Sequence, residues 1–179
     1  MAIQIKKLRS LQGNIDELNT SFQCYTNASK PWLRQSAQES ITALSDVQNT
    51  IDILRKIEES RASVEGLMEI KPFVQNMPEV NAKFQLWKQE WGYLLKTAVK
   101  EQNVMMLAKD QAFLRTLHDL LEDLEGVKVK YEEFLQVTRN EAPRLCMLSN
   151  EEVTMLLALQ GKPDLLKNSH FLSKIFLGV

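Results

Sequence analysis

The chain has 179 residues, 44% of them hydrophobic, which is enough for a core and excludes a disordered tail. Its 22 basic side chains meet 23 acidic ones, and the pI near 6.2 selects neither nucleic acid nor an anionic membrane as partner. The opening MAIQIKKLRSLQGNID lacks the apolar run of a signal peptide, and no stretch approaches about 18 uninterrupted apolar residues, so a cytosolic protein is expected. Cys24 and Cys146 lie in no metal or redox spacing and are expected as free thiols.

Leu8, Leu11, Ile15, Leu18, Phe22 and Tyr25 recur at steps of three and four, which predicts a first helix with all six on one side. NASKPW then interrupts, with Ser29 as the expected cap and Pro31 in the first turn of a second helix. That helix carries Leu33, Ala37, Ile41, Leu44, Ile51 and Leu54 and weakens toward Gly66; Gln48 and Glu58 fall on its stripe. KPFVQNMPEV is a second interruption, and Pro78 followed by Glu79 suits a third helix start. Met77, Val80, Phe84, Trp87, Trp91, Leu94 and Ala98 continue the rhythm there.

A fourth helix is expected over about residues 103 to 139, through Met106, Phe113, Leu117, Leu120, Leu124, Val127, Tyr131 and Phe134. Asp110 and Thr138 fill two stripe positions imperfectly, and Gly126 suggests a bend or a close helix contact, of which close packing is the simpler reading. The fold class expected is all-α, an elongated antiparallel bundle of about four long helices plus short C-terminal helices.

Pro143 should end the fourth helix at or before Ala142. RLCML then reads as a buried extended connector, and SNEE as a capping box in which Ser149 and Glu152 satisfy each other's backbone. Glu151 and Glu152 suit the helix dipole, not metal or acid–base chemistry. The capped helix runs through Val153, Leu156, Leu157 and Leu159 toward Gly161, Lys162 and Pro163. Ser149→Ala is expected to cost about 0.5–2 kcal/mol, and Asn150→Ala less.

The chain offers no phosphate-cradling G-x-x-x-x-G-K-[ST] loop; the GKP at Gly161 lacks both the loop and the magnesium-binding hydroxyl. Cys146 and His118 sit in an apolar connector and on a helix, and His118 and His170 form no metal set. No catalytic, cofactor-binding or metal-ligating residue is assigned.

Residues 134–152 resemble the linker region of dynein heavy chains, which precedes the AAA+ motor ring. That family carries YLE-x-KR-x-x-FPRFYFLSN-[DE]-[DE]-L-x-x-IL, and Phe134, Leu135, Arg139, Pro143, Arg144, Leu148, Ser149, Asn150, Glu151 and Glu152 fall at its positions. Its following HLKK-x-F-[DE]-[GN]-I is echoed by HFLSKIFLGV, with His170, Lys174, Phe176 and Gly178 in similar order. The aromatics of FPRFYF are Ala142, Leu145, Cys146 and Met147 here, so the copy is divergent.

The resemblance divides the chain into residues 76–179, linker-like, and residues 1–75, a helical segment of unassigned family, linker or tail helices. It implies a mechanical lever of a microtubule motor without catalysis of its own; ATP and magnesium would be bound only in the parent motor. The implied partners are the AAA+ ring and the rest of the heavy chain, intermediate and light intermediate chains in the parent complex, and microtubules through the parent alone. The implied location is cytoplasm and cytoskeleton, including cilium or axoneme. A free-standing helical-bundle adaptor is the alternative. The C-terminal residues Phe171, Leu172, Ile175 and Phe176 cluster on a helical face and form a candidate interface.

Overall fold

The computed structural model describes residues 5–101, 103–159 and 174–175. They form α1 (Ile5–Gln23), α2 (Pro31–Met68), α3 (Lys71–Asn76), α4 (Pro78–Glu101), α5 (Val104–Lys109), α6 (Gln111–Glu141) and α7 (Asn150–Ala158). A 3-10 turn, Pro143–Met147, precedes α7, and no strand occurs among the described residues. The chain is all-α, and its four long helices are α1, α2, α4 and α6.

Local chemistry sets the ends. α2 begins at Pro31, and the Lys30 carbonyl accepts from Leu33 and Arg34, so the chain turns in one residue after the expected Ser29. KPFVQN folds as a helix of its own, entered through Pro72 in its first turn. The expected fourth helix is two helices. Asn103 caps α5 by accepting from the Met105 and Met106 amides, and Asp110 caps α6 by accepting from the Ala112 amide at 2.9 Å. Asp110 is therefore a break in the pattern, and Met106 lies exposed on α5 outside the α6 stripe.

The chain divides into two compact units, one from Met1–Arg61 and Trp87–Asp123, the other from Ala62–Leu86 and Leu124–Val179. In the first, Ile15, Val47, Ile51 and Ala108 share a buried cluster, with Leu44 packed against it. Trp87 and Trp91 stack with centroids 5.8 Å apart, and Trp87 Nε1 donates to the Leu120 carbonyl at 2.8 Å. That bond satisfies an indole N–H which burial would otherwise strand. Glu58, an off-pattern residue of the α2 stripe, is 2% exposed and accepts from Arg61 Nε at 2.9 Å and Nη2 at 2.7 Å. A buried carboxylate held this way is costly to break, not a large net gain.

Gly126 marks no close contact, contrary to the simpler expectation: a Cβ there meets nothing within 4 Å. The residue is exposed on a helix that continues through it. Gly126→Ala is expected to stabilise the chain by about 0.5–1 kcal/mol, because it removes unfolded-state freedom at no steric cost. A chemical melt that shifts upward checks this.

Candidate functional site

The residues shared with the family motif converge on the junction between α6 and α7 in the second unit. Its floor is a buried cluster of Ile70, Phe73, Tyr131, Phe134, Leu135, Leu148 and Val153. Phe73 is fully buried at its centre. Its ring meets Tyr131 edge-on at 5.0 Å and Phe134 tilted at 5.4 Å, the arrangements that aromatic quadrupoles favour.

Above this floor the chain turns. α6 ends at Glu141, as Pro143 requires. RLCML is for the most part neither extended nor buried, Leu148 alone being both, which corrects the expectation. With Pro143 in its first turn it winds as a 3-10 turn through bonds from Leu145 to the Ala142 carbonyl and from Leu148 to the Leu145 carbonyl. Cys146 and Met147 are exposed, and only Leu148, in extended geometry, enters the cluster. The run is too short to form an α-helix, and the i→i+3 bonds satisfy its backbone without a neighbour strand.

Arg139 closes the corner. Its Nη1 donates to Asn150 Oδ1 at 2.7 Å and its Nη2 to the Leu148 carbonyl at 3.0 Å, so one guanidinium ties the last turn of α6 to the first of α7. The capping box forms as expected: the Ser149 amide donates to Glu152 Oε2 at 2.9 Å, and the Glu152 amide to Ser149 Oγ at 3.2 Å. The other Glu152 oxygen pairs with Lys174, which brings the second family stretch to the same corner. Asn150 is thus more than a first-turn residue. Asn150→Ala and Ser149→Ala are now expected to cost similar amounts, about 1–2 kcal/mol each, in parallel denaturant melts.

A second tie runs beside the clamp. Tyr131 donates its hydroxyl to Thr154 Oγ1 at 2.7 Å, and Thr154 donates to the Asn150 carbonyl at 2.6 Å. Burial pushes the Tyr131 phenol above its ordinary 10.0, while the Thr154 hydrogen bond opposes this. The unfolded chain therefore ionises Tyr131 first on the alkaline side. Stability owed to this group is complete below pH 10 and is lost as pH rises through the raised folded value. Tyr131→Phe should show a shallower alkaline loss than the parent in melts recorded from pH 8 upward.

Among the other motif residues, Pro143, Arg144 and Glu151 are exposed, while Phe134, Leu135 and Leu148 are buried. Ile175 packs half-buried against the cluster, so that part of the candidate interface faces inward. Phe171, Leu172, Phe176 and His170 lie outside the described residues, as do Gly161, Lys162 and Pro163. His118 is exposed on α6, and both cysteines are free and exposed. Among the described residues no group of three or more His, Cys, Asp or Glu could hold a metal, and no helix is long and apolar enough to cross a membrane. Phe73 and Ile70 were not legible as core, although Pro72 beside Phe73 is a helix-start signal.

The fold and the corner define a helical structural segment in which hydrogen bonds serve geometry. The chain matches the family described as dynein heavy chain, N-terminal region 2, over residues 4–179, and it belongs to that family. This region is a non-catalytic part of the heavy chain. The match includes residues 4–75, which carry no motif assignable by eye. The chain is 29% identical over 133 residues to dynein axonemal heavy chain 12 of Homo sapiens, across 74% of this chain and 4% of that protein. It is 25% identical over 133 residues to dynein axonemal heavy chain 3 of Homo sapiens, across 74% of this chain and 3% of that protein. Against dynein axonemal heavy chain 1 of Rattus norvegicus it is 23% identical over 122 residues, 68% of this chain and 3% of that one. The chain thus spans a few per cent of the length of these relatives. No solved structure matches it.

Proposed function

We propose that this chain acts as a length of the linker of an axonemal-type dynein heavy chain, a stiff lever that carries displacement from an ATP-driven ring without chemistry of its own. The observation that carries the reading is the clamped corner: Arg139 of α6 holds Asn150 and the Leu148 carbonyl, and Tyr131 of α6 holds Thr154, so side chains tie α6 to the start of α7. A lever needs such corners, because compliance between stacked helices would absorb the stroke. Family membership favours this over a free-standing adaptor.

On this reading the linker-like part is residues 76–179, with the upstream helices continuing it. The partners are the AAA+ ring and the remainder of the heavy chain, the accessory chains of a dynein complex, and microtubules through the parent motor. The axonemal relatives support a place in the ciliary cytoskeleton. The test is an axonemal dynein heavy chain whose matching segment is replaced by residues 4–179 of this chain, compared with one lacking the segment. The replacement should retain microtubule gliding, and the deletion should hydrolyse ATP without gliding. Gliding of the deleted motor at the parent speed would end the lever reading.

A further inference from the structure

α1 docks with a face that its own sequence does not favour. On its apolar arc, of the described side chains Leu11, Ile15, Leu18 and Phe22, Ile15 is buried and Phe22 half-buried. Leu11 and Leu18 are each 48% exposed, and Tyr25, expected on the same helix face but lying beyond the end of α1, is 51% exposed. What α1 presents to α2 instead is a polar pair around Ile15. Gln12 Nε2 donates to Asp52 Oδ1 at 2.6 Å, and Gln48 Nε2 donates to Asp16 Oδ1 at 3.1 Å.

The two bonds form a matched set. On each helix a glutamine precedes an aspartate by one turn, and the helices run antiparallel, so Gln12 meets Asp52 while Asp16 meets Gln48. The arrangement reads register. Sliding α1 by one turn sets Gln12 against Gln48 in one direction, or Asp16 against Asp52 in the other, and the second juxtaposition is repulsive. Specificity is thereby high while adhesion is low. Among the described side chains of α1, Ile15 is the buried apolar one, two amide–carboxylate bonds flank it, and the Asn19 Oδ1 atom is buried without a partner.

We propose that α1 is a reversibly docked strap, placed in register by the Gln12–Asp52 and Asp16–Gln48 buckle and released as a unit while the other helices stay folded. The segment 24–30, outside any helix, joins it to Pro31 and supplies the hinge. Among the described side chains, release uncovers chiefly Ile15 and the half-buried Phe22, a small loss that lets a low-stability element open without global unfolding.

Amide hydrogen exchange on the full chain decides it. α1 amides should exchange about 100-fold or more faster than those of α6 near Leu117–Leu124, with little dependence on low denaturant. Gln48→Asp sets two carboxylates face to face and should raise α1 exchange by about 10-fold while leaving α6 unchanged; adding Asp16→Gln should restore the parent rate. Asp52 also accepts from Arg55 Nη2 at 3.1 Å, so the Asp16–Gln48 pair is the cleaner one to exchange. Parent α1 protected as strongly as α6 would overturn the proposal. So would α6 exchange rising together with α1 in Gln48→Asp, or a double variant that fails to recover.

Discussion

Phe73→Ala is expected to destabilise the chain by about 3–5 kcal/mol, the largest loss of any single substitution considered. The ring is fully buried and packs against both Tyr131 and Phe134 of α6. Removing it deletes two aromatic contacts and leaves a cavity in the cluster that also holds Leu148 and Val153. Phe73→Leu should cost much less, since it keeps most of the volume. Denaturant melts of both variants check this. Equal losses would mean that edge-on geometry outweighs volume at this position, and a loss below about 1 kcal/mol for Phe73→Ala would mean that α3 is not part of the core.

Arg139→Ala should cost about 2–3 kcal/mol, because it removes two charge-assisted hydrogen bonds and leaves the carbonyl of the buried Leu148 unpaired. Arg139→Lys should recover only part of this. An ammonium is a point donor on a flexible stem and cannot hold Asn150 Oδ1 and the Leu148 carbonyl in a fixed fork. The signature is local: amides 148–154 lose protection more than those of the α6 midsection. A uniform loss across the chain would make the clamp an ordinary contributor to global stability.

Helix periodicity carried most of the fold, because stripes such as Phe84–Trp87–Trp91 and Leu117–Leu120–Leu124 face a core that a 3.6-residue period must find. Where it failed, a shorter-range rule prevailed. Asp110 looked like a flaw in one long stripe, but its side chain caps α6. RLCML looked buried from its composition, whereas a proline in its first turn wound it into a 3-10 turn with Met147 outside. Leu11 and Leu18 fall on the apolar stripe yet lie half exposed, while Gln12 and Asp16 bond to Asp52 and Gln48 of α2.

The site was legible in part. The Ser149–Glu152 box follows from four adjacent residues, so the sequence spells it out. The Arg139 clamp joins residues 11 positions apart across a corner, and the Tyr131–Thr154 bond joins residues 23 apart. Both pairs lie across the break between α6 and α7, so helical periodicity does not reach them and both depend on how the turn is wound. Phe73 was hidden for a similar reason: prolines on either side of its segment read as punctuation, although one of them starts the helix that delivers it.

The central claim is that this chain couples hydrolysis to displacement by being stiff. The most direct measurement is the ratio of microtubule gliding velocity to ATP turnover in a dynein heavy chain bearing this segment, with and without Arg139→Ala. The predicted result is unchanged turnover with a clear fall in velocity, since the corner then yields under load. Unchanged velocity in a variant whose corner has lost its exchange protection would contradict the account.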